Sequence, residues 1–151
     1  MTFNAQTDVD TKVLVNRART EAKKIFAKDS TRRGRDFHHI FAEELRGQCP
    51  EIWLMTKHGY LDDTRAYHDI KEPDGTPIEV KVTKCEGYVF SEPGTLSRYA
   101  EKLRMFSPGK LPTRVYVFFN EKDSSEFTFY GVFDWNGSQF LRGKLPTEVH
   151  F

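Results

Sequence analysis

Apolar residues recur every third or fourth position early in the chain, at Val13, Leu14, Ala18, Ala22, Ile25 and Phe26. This spacing predicts an amphipathic helix from about Asp10 to Ala27, with basic residues over much of its remaining surface. The stretch Asp-Ser-Thr-Arg-Arg-Gly at 29–34 interrupts the pattern. A second helix is predicted from about Arg35 to Arg46, with Phe37, Ile40, Phe41, Ala42 and Leu45 inward and Gly47 ending it. Beyond it the period drops to two. Glu51–Thr56, Ala66–Lys71 and Pro77–Lys84 read as strands. Pro93-Gly94 returns the chain to a helix over Thr95–Phe106. Arg114–Asn120 and Phe127–Trp135 are β-branched and aromatic, hence strands, and Asn136-Gly137 is a turn. The order α-α-β-β-β-α-β-β predicts an α/β or α+β fold, a mixed sheet of about five strands flanked by helices.

Composition narrows the class. The chain has 151 residues, 38% hydrophobic and 30% charged, without repeats or low-complexity tracts, so a single domain over 1–151 with a packed core is expected. No run of about eighteen apolar residues suggests a membrane span. The start, MTFNAQTDVD, lacks a basic stretch followed by an apolar one, so a cytoplasmic location is expected. Cys49 and Cys85 are expected as two buried reduced thiols. Neither a glycine-rich phosphate loop nor a dinucleotide fingerprint occurs, so no nucleotide cofactor is expected. Most of Tyr88, Phe90, Phe118, Phe119, Phe127, Phe129, Tyr130 and Phe133 are expected in the core, and a few at a subunit interface.

The net charge of +1 hides an asymmetry. Residues 11–35 hold nine basic side chains (Lys12, Arg17, Arg19, Lys23, Lys24, Lys28, Arg32, Arg33 and Arg35) against Glu21 and Asp29, a net +7 that leaves −6 on the rest. A basic segment on a mildly acidic body suits a polyanionic partner; the alternative is an ordinary solvated helix face. The same two readings apply to Arg98, Lys102 and Arg104 on the later helix.

The segment Tyr67–Val82 carries the candidate chemistry. Pro73-Asp74-Gly75 suits a three-residue hairpin loop, which pairs Glu72 with Thr76 and sets Asp69 opposite Glu79. Opposed residues share a face, and Lys81 follows Glu79 on it. Ile70, Ile78, Val80 and Val82 take the other, apolar face. Two close carboxylates repel unless a cation lies between them. That cation is either Lys81, in a surface ion pair, or a divalent metal, for which oxygen ligands specify Mg²⁺ or Mn²⁺.

Asp69, nine intervening residues, then Glu79-Val80-Lys81 on the second strand of a hairpin resembles the PD-(D/E)xK, restriction-endonuclease-like, nuclease superfamily. The order helix, three-stranded meander, helix, strand is similar too, over roughly Arg32 to Asn120. The resemblance implies a catalytic core at 32–120 behind a basic N-terminal helix at 10–28. His68 stands where the family often has Pro. His38 takes the place of a helix Glu in Gly34-Arg-Asp-Phe37-His38, with Asp36, Glu43 or Glu44 as substitutes from a neighbouring turn. His38-His39 also invites a ββα-metal nuclease, but that motif needs a preceding hairpin, and these lie in a helical pattern.

The resemblance implies an Mg²⁺-dependent endonuclease acting on double-stranded DNA, of restriction or homing type. Asp69, Glu79 and the Val80 carbonyl would hold the metal, and Lys81 would assist as the third catalytic residue. His38 or Glu43 would be accessory, and Arg32, Arg33, Arg35, Lys23 and Lys24 would contact phosphates. One site per chain implies a homodimer or dimer of dimers for cutting two strands. A junction-resolving or repair nuclease, and a non-catalytic DNA-binding protein on the same fold, are the alternatives.

Overall fold

The structure, a computed structural model, describes residues 1–28, 36–63, 70–106 and 109–151. After a short strand β1 (Thr2–Asn4), the basic helix α1 runs over Thr11–Lys28. Asp10 caps it, accepting from the Lys12 and Val13 N–H groups at 3.0 and 3.2 Å. Its buried residues, Leu14, Ala18 and Ala22, are spaced by four, and small alanines let it lie close against the next helix. Val13 and Phe26, both in the predicted apolar set, are exposed.

The second helix, α2, spans Phe37–His58 and corrects two expectations. It passes through Gly47 and Pro50, so Gly47 does not end it, and Glu51–Thr56 is helix, not strand. Pro50 removes one backbone hydrogen bond, yet Gln48, Cys49, Pro50, Ile52, Trp53 and Leu54 are all buried. Burial of such side chains at roughly 1.5–3 kcal/mol each offsets the penalty of about 3 kcal/mol for an interior proline. The helix ends at Gly59, whose φ of 72° is left-handed, with the Tyr60 N–H donating to the Leu54 carbonyl at 3.2 Å.

The remaining strands are β2 (Leu61–Asp62), β3 (Ile70–Lys71), β4 (Pro77–Thr83), β5 (Arg114–Phe119), β6 (Glu126–Trp135) and β7 (Phe140–Arg142). They form a mixed seven-stranded sheet, larger than the five expected, in the order β1-β6-β5-β4-β3-β2, with β7 also on β6. Among the described residues, β4 and β5 alone pair in parallel. Their connection runs through a one-turn helix α3 (Gly87–Phe90) and α4 (Thr95–Met105). The fold is therefore mixed α+β.

Alternation along β5 supplies two cores. Tyr116 and Phe118 join Ile70, Ile78, Trp53 and Leu54 under α1 and α2. Val115 and Val117 join Val89, Leu96, Tyr99 and Phe133 under α4. Phe3 pins β1 to the first core, stacked 4.4 Å from Trp53 and 5.2 Å from Phe127. One smaller expectation fails: Cys85 is exposed, with only Cys49 buried. Of the eight aromatic residues expected mostly in the core, Tyr88 and Phe90 are more than half exposed. No described helix is long and apolar enough to cross a membrane.

Candidate active site

The hairpin loop forms as its residues dictate. Gly75 takes φ 92°, its N–H donates to the Glu72 carbonyl at 2.8 Å, and the Asp74 carboxylate accepts from the Thr76 N–H at 2.9 Å. That backbone contact holds the Asp74 carboxyl below its ordinary value. The Glu72 N–H donates to Thr76 O at 2.8 Å, and the pairs Lys71–Pro77 and Ile70–Ile78 follow, the register read from the sequence. Asp69 lies outside the described residues, as do Arg32, Arg33 and Arg35.

Ile78, Val80 and Val82 pack into the α1/α2 core, so Glu79 and Lys81 take the opposite face. There Lys81 Nζ stands 3.4 Å from Glu79 Oε1, with their side chains 31% and 21% exposed. The expected open polar face is partly roofed: Lys81 Nζ also lies 5.4 Å from the Tyr99 ring of α4. Tyr99 is itself fixed by its hydroxyl, which donates to Pro112 O at 2.7 Å. The Asn120 N–H donates to the Thr83 carbonyl at 2.9 Å, so odd residues of β4 turn their backbone groups to β5. Alternation then turns the Val80 carbonyl to the β3 side, free of the β5 ladder. Glu79 and Val80 thus offer a carboxylate and a carbonyl, the oxygen donors that Mg²⁺ and Mn²⁺ accept. Among the described residues no group of three or more His, Cys, Asp or Glu is placed to hold a metal.

The other candidates stand apart from this pair. His38, His39 and Glu43 are exposed on α2, which packs on the other face of the sheet. His39 Nδ1 lies 2.8 Å from Asp36, the N-cap, whose carboxyl is held low chiefly by the His39 backbone N–H. Lys23 and Lys24 are exposed on α1, Lys24 at 4.0 Å from Glu21. Arg17 turns inward instead, to Asp62 at 3.3 Å and Glu51 at 3.9 Å, and so is spent on binding α1 to its neighbours.

Sequence reasoning missed a buried network centred on Glu72. This carboxylate is 3% exposed and accepts from Arg114 Nε at 2.9 Å and from the Tyr116 hydroxyl, which meets the Tyr60 hydroxyl at 2.7 Å. Burial raises both tyrosines above their ordinary values, and for Tyr116 the bond to Glu72 adds to the rise. Burial alone would lower the Arg114 guanidinium, but the carboxylates of Asp134 and Glu72 outweigh it and hold it high. One signal was available: Glu72 shares parity with Ile70, and so belongs to the apolar face.

No protein-family model matches the chain, and searches of curated proteins and of solved structures find no match either. The resemblance to the PD-(D/E)xK nucleases rests on the hairpin and its residues.

Proposed function

We propose that the protein is an Mg²⁺-dependent DNA endonuclease, cutting duplex DNA in a site-specific manner of restriction or homing type. The observation that carries the reading is the placement of Glu79 and Lys81, 3.4 Å apart on one face of β4 in a hairpin of the expected register. The order α2, antiparallel β2-β3-β4, α4, then β5 parallel to β4 supports it, being the order the resemblance implies.

Glu79, the Val80 carbonyl and Asp69, which the sequence pattern sets opposite Glu79, would hold the cation. When bound, it would supply Lewis acidity at the scissile phosphate and lower the pKa of a bound water. Lys81 would orient the attacking water and offset the charge that builds on the phosphoryl oxygens. Lys23 and Lys24, with Arg32, Arg33 and Arg35, contact phosphates and position the duplex without reading bases. Two such chains, one per strand, act together as a symmetric dimer or dimer of dimers.

The Glu79–Lys81 ion pair also fits a second reading, a non-catalytic DNA-binding protein, because each charge satisfies the other. Incubation of plasmid and linear DNA with Mg²⁺, with Mn²⁺ or with EDTA separates the two. The parent protein is expected to give discrete fragments with metal and none with EDTA. Glu79→Gln abolishes cleavage, and Lys81→Ala lowers it by about two to three orders of magnitude, the scale of one transition-state-stabilising group. Both variants stay within about 1 kcal/mol of parental stability, as for a pair that still reaches solvent. DNA left intact by the parent with both metals overturns the enzyme reading. Preference for four-way junctions over linear duplex would instead make it a junction-resolving nuclease.

A further inference from the structure

At the carboxyl end of β4, between the sheet and the first turn of α4, lies a cavity of about 290 Å³ whose lining includes Arg46, Thr83, Lys84, Gly94, Thr95 and Arg98. Three different elements each deliver a cation: α2 gives Arg46, the end of β4 gives Lys84, and α4 gives Arg98. None of the lining residues is acidic. Among the described residues, no carboxylate comes within 4.0 Å of these three cations.

Two of the lining groups are prearranged. Arg46 donates through Nε to Asn120 Oδ1 at 2.9 Å and through Nη2 to the Asn120 carbonyl, which leaves Nη1 without a partner among the described residues. Asn120 is buried and in turn donates to Ser124 O at 2.9 Å and Glu126 O at 2.8 Å, so the guanidinium rests on a fixed support. Thr83 is only 6% exposed, lines the cavity, and its hydroxyl makes no hydrogen bond to the described residues, which leaves it available to a ligand. Arg46 is partly buried while Lys84 and Arg98 are exposed, and an anion in the cavity supplies all three with one shared counter-charge. The N-terminal end of α4, whose Gly94 and Thr95 line the cavity, adds its positive dipole end to the same field. Donors converging from a strand end and two helices match the several oxygens of a tetrahedral anion better than a planar carboxylate. The position, beyond the carboxyl ends of two parallel strands, is where open α/β sheets commonly bind ligands.

We propose that this cavity binds a phosphate monoester, its oxygens held by Arg46, Lys84 and Arg98 and by the Thr83 hydroxyl. The site is separate from Glu79 and Lys81, although Thr83 follows Lys81 on the same face of β4 by two residues, about 7 Å. It needs no metal and does not depend on the nuclease reading.

The test is calorimetric titration of the full chain with inorganic phosphate at low salt, in EDTA. Saturable binding is expected, stronger as pH rises and inorganic phosphate passes from its monoanion to its dianion. Lys84→Gln and Arg98→Gln are each expected to weaken it about tenfold, the scale of one charge-assisted hydrogen bond. Thr83→Val, equal in shape but lacking the hydroxyl, weakens it several-fold with the melting temperature unchanged, and Glu79→Gln leaves it at the parental value. A 5′-phosphorylated oligonucleotide that binds more tightly than its 5′-hydroxyl twin, with the difference lost in Arg98→Gln, assigns the phosphate to a strand end. Equal binding of the two oligonucleotides beside retained phosphate binding assigns it to a small free compound. Absence of saturable phosphate binding, or Lys84→Gln and Arg98→Gln proteins that bind like the parent, overturns the proposal.

Discussion

Replacing Glu72 with Ala tests whether burial or distance sets the strength of the ion pairs on Arg114. Arg114 meets Glu72 at 2.9 Å and Asp134 also at 2.9 Å, but the Glu72 side chain is 3% exposed and that of Asp134 49%. Glu72→Ala removes a charge-assisted hydrogen bond, at about 1.5–3 kcal/mol, and the acceptor of the Tyr116 hydroxyl, at about 1 kcal/mol. Arg114 keeps Asp134 and the Lys144 carbonyl, and Tyr116 keeps Tyr60, so the larger cost of an orphaned buried charge does not arise. The sum is about 2.5–4 kcal/mol. At roughly 2–4 °C per kcal/mol for a domain of this size, the melting temperature should fall by about 5–16 °C. Asp134→Ala, at the same distance but facing water, should cost no more than about 1 kcal/mol. Thermal denaturation followed by circular dichroism, with urea titrations to check for a common m-value, measures both. Equal losses in the two variants would refute the argument, because distance alone would then decide.

Three further outcomes follow. Burial pushes the Cys49 thiol from its ordinary 9.0 up to about 12, so its contribution to stability is fully present below pH 9 and is lost as pH rises through about 12; Cys49→Ala should flatten that alkaline decline in urea titrations. Thiol titration of the folded protein should find Cys85 reacting at once and Cys49 only on unfolding. Replacing Arg32, Arg33 and Arg35 with Ala should lower the slope of log K against log salt for DNA binding by about 0.9 for each phosphate no longer neutralised, and Lys23→Ala with Lys24→Ala should act alike; an unchanged slope would make these residues a solvated face.

Where local chemistry decides the structure, the chain was legible. The Asp10 cap and the four-residue spacing of Leu14, Ala18 and Ala22 define α1, and Pro73-Asp74-Gly75 defines the β3–β4 register. Residues 47–58 were misread because a short apolar run beside Gly47 and Pro50 looks alike in a strand and in a helix buried on several sides. Lys57-His58-Gly59, basic residues before a glycine, was the helix-ending signal that could have decided it. Glu72 and Arg114 are far apart in sequence, and no local pattern announces their meeting, nor the convergence of Arg46, Lys84 and Arg98. The pairing of Glu79 with Lys81 was legible because two residues on one strand must share a face.

The outer edge of β6 is divided between β1, paired at Thr2–Thr128 to Asn4–Glu126, and β7, paired at Phe133–Arg142 to Trp135–Phe140. Such a division has a kinetic meaning. Closing β1 onto β6 joins segments separated by most of the chain, a closure whose entropy cost must be met before its packing is gained. Until β6 exists, Phe3 has neither Phe127 to stack on nor a strand beside it. During synthesis β1 emerges well before its partner β6, and so finds its place only after β6 has followed.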